Sequence, residues 1–113
     1  MSDSKQITIK IATVFHKMPM GRYYPKDGEY TGDRFRKECL EPNFNKYDKL
    51  IIDLDDLYGC PSSFREEAFG GLARIFGIQE VLEKVEFKTT DFPELIEVIK
   101  NDILDAKNKN PIF

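Results

Sequence analysis

Two adjacent serines, Ser62 and Ser63, stand immediately before an amphipathic stretch that ends at Gly77. Serines in front of such a stretch are typical of a helix start. Ser63 and Glu66 fit a capping box, in which each side chain accepts a hydrogen bond from an otherwise unpaired backbone N–H. A hydroxyl at an exposed helix start is also a candidate phosphoacceptor, because free N–H groups and the helix dipole favour a phosphate there. The serine pair therefore has both a structural and a regulatory interpretation.

An acidic turn over residues 53–57 directly follows a short apolar run. Carboxylates at the carboxyl end of a central strand can hold Mg²⁺ or act as a nucleophile and an acid/base pair. The spacing of Asp53 and Asp55 resembles the Asp-x-Asp motif of haloacid-dehalogenase-like phosphotransferases. However, no small or β-branched residue follows the motif, and no second acidic pair with a suitable lysine is evident downstream. We favour a solvated turn, with a small Mg²⁺-dependent phosphotransferase as the alternative.

The other residues of catalytic type are isolated in the sequence. His16 is the only histidine, so a Ser/His/Asp triad or a multi-histidine metal site has little to build on, and an ordinary surface or loop position is expected. Cys39 and Cys60 have no second cysteine or histidine nearby. We expect reduced, packed thiols, and predict no disulfide, no metal site and no cofactor.

A long loop over residues 18–32 is rich in glycine, tyrosine and charge, and loops of this length in compact domains are often functional. It lacks the glycine and lysine spacing of phosphate-binding loops. Tyrosine and arginine are enriched at interface hot spots, so the loop favours protein binding. The candidate partner-binding residues in it are Gly21, Arg22, Tyr24, Asp27 and Gly28.

The strands that must position these residues show two patterns. Alternating isoleucines predict a half-buried strand over residues 6–15, near a sheet edge. The nearly continuous apolar run over residues 49–54 predicts a central parallel strand. A further strand is expected over residues 85–89, and a short one is possible around residues 22–24.

Helical periodicity predicts a helix over residues 33–40, with Thr31 as N-cap and Pro42 just past its end. A second helix starts at the serine pair and carries Gly70 and Gly71 inside it, which indicates close packing or a tight partner contact because each glycine destabilises a helix by about 1 kcal/mol. A helical turn is expected over residues 79–82, and a last helix starts with Asp91 and runs to about residue 106.

Composition limits the fold and the location. The chain has 113 residues, 41% hydrophobic and 33% charged, with a formal charge of −3. These values predict one globular domain over residues 1–113, with a loose tail from about residue 108. The absence of a basic block argues against direct nucleic-acid binding, and the absence of a long apolar run or a signal peptide predicts a cytoplasmic protein that does not enter a membrane. Alternating strands and helices predict an α/β fold: a mostly parallel sheet of about four strands flanked by helices.

Several segments together resemble the STAS-like domain family of unknown function, a branch beside the sulfate-transporter and anti-sigma-factor-antagonist domains. They are Gly21-Arg22, Asp27-Gly28, Gly32-Asp33-Arg34-Phe35-Arg36, Leu50-Ile51-Ile52-Asp53-Leu54-Asp55, Ser62-Ser63-Phe64 and Glu67-Ala68-Phe69-Gly70-Gly71-Leu72. The resemblance implies a small STAS-like domain that binds protein partners and is not an enzyme.

In anti-sigma-factor antagonists, a histidine-kinase-like ATP-binding partner phosphorylates a serine at the start of a central helix. The resemblance places that serine at Ser63, with Ser62 beside it, although Pro61 replaces an acidic residue and Phe64 a glycine. It implies a kinase of this kind, or a transcription regulator, as partner. We expect partner contacts to extend from the loop to Tyr58, Gly59, Phe64 and Arg65. A homodimer or a purely structural subunit, packed through Gly70 and Gly71, is a further alternative.

Overall fold

Three parallel strands form the sheet of the computed structural model, which describes residues 5–106. The strand order is β1-β2-β3, so β2 is central and β1 lies at an edge, as predicted. Ile9 pairs with Ile52, and Ile52 pairs with Phe87, which sets the register. The tail predicted from about residue 108 lies outside the described residues. The elements in chain order are β1 Gln6–Lys10, α1 Ile11–Val14, α2 Gly32–Phe35, π1 Arg36–Leu40, α3 Glu41–Phe44, β2 Lys49–Asp53, α4 Ser62–Arg65, π2 Glu66–Gly70, α5 Gly71–Phe76, α6 Ile78–Lys84, β3 Val85–Lys88 and α7 Pro93–Leu104.

The predicted α/β class with a parallel sheet is confirmed, but the described residues contain three strands instead of about four. The stretch around residues 22–24 is not a strand. Its backbone N–H groups are bonded to carboxylates: Tyr23 donates to Asp27 over 2.9 Å and Tyr24 to Asp33 over 3.0 Å. The first strand also stops earlier than predicted, at Lys10, because its one neighbour, β2, ends at Asp53.

Two composite helices pack beside the sheet, each interrupted by a π-helical turn. The Gly32 helix comprises α2, π1 and α3, and the Ser62 helix comprises α4, π2 and α5. The first continues through Pro42, which the sequence placed beyond its end. The proline is tolerated because it lies in the first turn of α3, where a missing backbone N–H breaks no hydrogen bond.

The last two helices also differ from the prediction at their boundaries. The helical turn expected over residues 79–82 is the longer helix α6, and α7 begins at Pro93, with Phe92 as N-cap in place of Asp91.

The core joins both composite helices to the sheet through aromatic contacts. Phe35 of the Gly32 helix lies 5.7 Å from Phe64 and 6.1 Å from Phe69 of the Ser62 helix, measured between ring centroids. Phe69 in turn contacts Phe87 of β3 at 5.3 Å. These rings hold the start of the Ser62 helix against the start of the Gly32 helix, and that junction carries most of the predicted site.

Candidate functional site

The long loop is closed at its base by three backbone hydrogen bonds, the first from Met20 to Tyr30 over 2.9 Å. Gly32 donates to Gly21 over 2.9 Å, and Asp33 donates to Arg22 over 3.0 Å. Gly32 lies so close to the Ser62 helix that a Cβ atom there would approach the Phe64 carbonyl oxygen to 2.5 Å. Real Cβ contacts are never this short, so only glycine allows the two helices to meet here. This close approach positions the loop beside the serine pair.

Asp27 shapes the inside of the loop. Its carboxylate accepts the backbone N–H groups of Arg22 and Tyr23, at 3.3 and 2.9 Å. Gly21 and Gly28 have φ values of 90° and 123°, which side chains other than glycine rarely adopt. The loop therefore has a defined backbone conformation, set by these two glycines and one aspartate.

A depression of about 300 Å³ lies between the loop and the Ser62 helix. Its lining residues are Met20, Gly21, Arg22, Asp27 and Ser63. Four of these were singled out from the sequence, in which the loop positions are distant from Ser63. The fold thus brings the predicted loop and the predicted phosphoacceptor into one surface.

The predicted capping box is wrong. The N-cap of the Ser62 helix is Pro61, and no side chain caps the helix start. Glu66 does not reach back to Ser63, because two arginines hold its carboxylate in the interior. Ser62 is exposed and Ser63 is half-buried. Neither hydroxyl has a hydrogen-bond partner among the described residues, so the structural role that competed with phosphorylation is absent.

Glu66 and Glu67, at the start of π2, form an ion network with Arg22, Arg36 and Arg74. Arg22 Nη1 donates to Glu66 Oε1 and lies 3.5 Å from Glu67 Oε1. Arg74 Nη1 contacts Glu66 Oε2 at 2.7 Å. Arg36 Nη1 contacts Glu67 Oε2 at 3.0 Å and donates to the Glu67 carbonyl oxygen at 2.6 Å. The glutamate side chains are only 5% and 10% exposed, so each buried charge is compensated by a nearby cation.

The charges of this network are stabilised in their ionised forms. Burial alone would raise the pKa of Glu66, but hydrogen bonds from Arg74 and Arg22 outweigh burial and hold that pKa below its ordinary value. Burial alone would likewise lower the pKa of Arg22, yet its hydrogen bond to Glu66 leaves that pKa raised. Arg22 is therefore held in its cationic form and ties the loop to the Ser62 helix.

Two residues expected at the partner surface lie elsewhere. Phe64 is completely buried between the helices, so its prediction as a partner-binding residue is wrong. Its hydrophobic spacing places it on the core face of the Ser62 helix. Arg65 turns away from the loop, since its Nε contacts Asp102 Oδ2 at 2.7 Å and its Nη1 donates to the Cys60 carbonyl oxygen at 2.9 Å.

Arg65 also lines a second groove, of about 320 Å³, with the predicted residue Gly59 and the first turns of α7. This groove is separate from the depression beside Ser63.

Two of the predicted partner-binding residues are exposed tyrosines. Tyr24 is 48% exposed and lies 5.3 Å from the Arg34 guanidinium, measured from the ring centroid. Tyr58 is 71% exposed, and its backbone N–H donates to the Lys17 carbonyl oxygen over 2.9 Å. Both tyrosine side chains are thus exposed to solvent, and their role in partner binding stays a prediction.

The isolated histidine and cysteines have local structural roles. His16 stacks on Tyr30 at 3.8 Å, and its Nδ1 accepts the Met18 backbone N–H over 3.0 Å. Burial raises the pKa of Cys39 to about 11 and that of Cys60 to about 12. Both thiols are therefore protonated at neutral pH and poorly nucleophilic.

The acidic turn organises the chain between β3 and α7. Asp55 Oδ1 accepts hydrogen bonds from Thr89 Oγ1 at 2.6 Å, the Thr90 N–H at 2.8 Å and the Asp91 N–H at 3.1 Å, while Oδ2 accepts from Thr90 Oγ1 at 2.9 Å. Asp53 Oδ1 accepts the Asp55 N–H at 3.0 Å. The hydrogen bond from Thr89, with those from residues 90 and 91, holds the pKa of Asp55 far below its usual range. These contacts occupy the carboxylate that the phosphotransferase alternative requires as a catalytic group.

The glycine pair inside the Ser62 helix makes room for the ion network. A Cβ atom on Gly71 would overlap the Arg36 guanidinium, and one on Gly70 would lie 2.9 Å from Glu66 Oε2. Both glycines are buried within the chain. The suggestion that Gly70 and Gly71 pack against a second copy is therefore wrong, because Arg36 and Glu66 of the same chain cover them.

The sequence analysis missed the arginine partners of Glu66 and Glu67. One signal could have revealed them: two acidic residues followed by two glycines on a helix that is otherwise apolar on its inner face. Small residues beside carboxylates leave space for the guanidinium group of arginine, and arginine is the cation most suited to buried ion pairs.

No helix among residues 5–106 is long and apolar enough to cross a membrane. A search of curated proteins and a search of solved structures found no match. The model of the STAS-like domain of unknown function (DUF4325) matches residues 31–94, a range that contains β2, β3, both composite helices and the serine pair. This match covers more than half of the chain and agrees with the parallel sheet, and the chain therefore belongs to the STAS-like domain family of unknown function.

Proposed function

We propose that this protein is a regulatory module that binds a partner protein without turning over a substrate, and that phosphorylation of Ser63 changes this binding. The observation that carries the proposal is the depression where Ser63 meets Gly21, Arg22 and Asp27. A modification at Ser63 would act directly on the loop that we regard as the partner-binding element. The resemblance to anti-sigma-factor antagonists supports the same arrangement.

The partner surface in this proposal, the loop face, comprises Gly21, Arg22, Tyr24, Asp27, Gly28 and Ser63. Met20, Tyr23 and Tyr24 are about half exposed, at 52%, 47% and 48%, so the loop presents large apolar side chains to solvent. Tyrosine and arginine commonly act as anchors in protein interfaces. Tyr58 is also exposed, and its backbone N–H is hydrogen-bonded to the carbonyl oxygen of Lys17, the residue just before the loop.

The surroundings of Ser63 favour modification more than the sequence suggested. Repulsion from Glu66 and Glu67 would oppose a phosphate, but Arg22, Arg36 and Arg74 compensate both carboxylates. Phosphorylation would join Ser63 Oγ to the γ-phosphorus of ATP. The bond between that phosphorus and the β,γ-bridging oxygen would break, ADP would leave with the electron pair, and the hydroxyl proton would pass to a base of the kinase.

The partner class is a histidine-kinase-like ATP-binding kinase or a transcription regulator in the cytoplasm. The test uses a protein of either class encoded beside this chain. Incubation with the kinase and ATP, followed by mass spectrometry, would map the phosphate to Ser63, and the Ser63→Ala variant would remain unmodified while Ser62→Ala is modified normally.

Calorimetric titration of the same partner tests the loop face. We expect Tyr24→Ala to weaken binding by about tenfold or more, as for an interface anchor. The matched control is Ile75→Ala, which removes an apolar side chain of similar exposure, 53%, from the end of the Ser62 helix. Equal affinities for the two variants, or the absence of a phosphate on Ser63, would contradict the corresponding part of the proposal.

A further inference from the structure

The five charged residues of the ion network are not equally confined. The Arg22 side chain is 36% exposed and that of Arg74 is 26% exposed, whereas the side chains of Arg36, Glu66 and Glu67 are 9%, 5% and 10% exposed. Arg22 also belongs to the loop, while the others belong to the composite helices. It is therefore the member of the network best placed to move.

The removal of Arg22 would leave both carboxylates paired. Glu66 would keep Arg74 at 2.7 Å, and Glu67 would keep Arg36 at 3.0 Å. An unpaired buried charge is strongly destabilising, but neither glutamate would become one. The network can thus release Arg22 while the core remains intact.

Arg22 and Asp27 carry the two charges that line the depression beside Ser63. A phosphate carries a charge between about −1.5 and −2 and offers three acceptor oxygens, and arginine binds such a group in bidentate fashion. A phosphate on Ser63 would attract Arg22 and repel Asp27. Because Asp27 holds the backbone N–H groups of Arg22 and Tyr23, both effects act on the same turn of the loop.

We propose that Arg22 relays the modification of Ser63 to the loop: its guanidinium leaves Glu66 to bind the phosphate, and the Asp27 turn rearranges with it. This inference rests on the proposed function, since it assumes a phosphate at Ser63. It assigns the change in partner binding to the loop face and leaves the helix packing unchanged. Glu66 and Glu67 then act as the resting partners of Arg22 in the unmodified protein.

The test installs phosphoserine at position 63 by encoded incorporation into the full chain and follows its ³¹P resonance with pH. A bound guanidinium favours the dianion, so we expect the second pKa of this phosphate to be lower in the parent sequence than in the Arg22→Gln variant. The expected difference in proton affinity is at least about threefold, the scale of a partly exposed ion pair. Arg22→Lys, which keeps the charge but not the bidentate geometry, should be intermediate.

Two controls separate this contact from general electrostatics. Arg34→Gln removes a neighbouring arginine that does not line the depression and should leave the phosphate pKa unchanged. Phosphoserine at exposed position 62 should titrate alike with and without Arg22. Backbone amide spectra establish whether each variant is folded. If Arg22→Gln is not folded, Arg22→Lys takes its place in the comparison with the parent protein.

Equal phosphate pKa values for the parent and Arg22→Gln proteins, or an equal effect of Arg34→Gln, would overturn the inference. The readout needs neither kinase nor partner. A failure of the proposed function, in which the partner binds modified and unmodified protein alike, is therefore distinguishable from a failure of the Arg22 relay.

Discussion

The substitution Gly71→Ala tests whether the glycine pair serves the ion network. In an ordinary helix interior, this change stabilises by about 1 kcal/mol. Here the new methyl group would overlap Nη1 of Arg36 and lie 3.2 Å from its Cζ atom. The guanidinium would have to move away from Glu67, although its side chain is only 9% exposed.

The loss from displacing the Arg36 guanidinium is larger than the gain in helix propensity. Disruption of a buried ion pair destabilises by about 3–5 kcal/mol, and partial relaxation of Arg36 reduces that figure. After the helix-propensity gain, we expect a net loss of about 2–3 kcal/mol in the free energy of unfolding. For a domain of this size, that corresponds to a decrease in Tm of about 10 °C.

Urea unfolding followed by circular dichroism measures this loss directly. Gly59→Ala is the control, because a Cβ atom at Gly59 meets nothing within 4 Å, and its effect should stay within about 0.5 kcal/mol. In an Arg36→Met background, the penalty of Gly71→Ala should shrink because the guanidinium is gone. If Gly71→Ala stabilises the parent protein by about 1 kcal/mol, the argument that Arg36 occupies this space is refuted.

Three further predictions concern the charged residues. Glu67→Gln should reduce the free energy of unfolding by about 2–3 kcal/mol, because it weakens the ion pair that holds the buried Arg36 guanidinium. Arg22→Gln should reduce it by only about 1 kcal/mol, because Glu66 keeps its ion pair with Arg74. If urea unfolding gives the reverse order, Arg22 is not the member of the network that can be released. The pKa of Glu66 in the folded state lies below its ordinary value near 4.5, so Glu66 contributes fully to stability above pH 4.5. This contribution is lost as the pH falls below that value. The free energy of unfolding measured from about pH 6 to pH 3 should show the loss, with a shallower pH dependence in Arg22→Gln. Asp55→Asn should lower Tm and speed amide exchange at residues 90 and 91, while exchange at the start of the Ser62 helix stays unchanged. A different result would favour the phosphotransferase alternative: a site-specific response of the parent protein to Mg²⁺ that Asp53→Asn abolishes.

Much of the fold could be predicted from local patterns. The alternation of Ile7, Ile9 and Ile11 marks one half-buried strand, and the continuous apolar run before Asp53 marks the central one, as the strand order confirms. Boundaries were less accurate, because they depend on neighbours distant in sequence. The first strand ends where β2 ends, and the Gly32 helix passes Pro42 because this proline lies in the first turn of α3.

The candidate site was only partly predictable. Gly21, Arg22, Asp27 and Ser63 were identified from residue type and local spacing, and the fold brings them together. Phe64 was misassigned although its hydrophobic spacing already placed it on the core face of the helix, where its ring packs against Phe35.

By itself, the sequence determined the α/β class, the central strand, the start of a helix near the serine pair and the turn-forming character of the loop. Each follows from periodicity or backbone preference within a few residues. Only the tertiary structure decided what the charges do. Glu66 follows Ser63 by three residues and resembles a capping partner, yet its carboxylate is held in the interior by Arg74, further along the same helix, and by Arg22, which is distant in sequence. The reason is physical: a buried carboxylate must be compensated by whichever cation the fold brings within reach, and no local pattern specifies that partner.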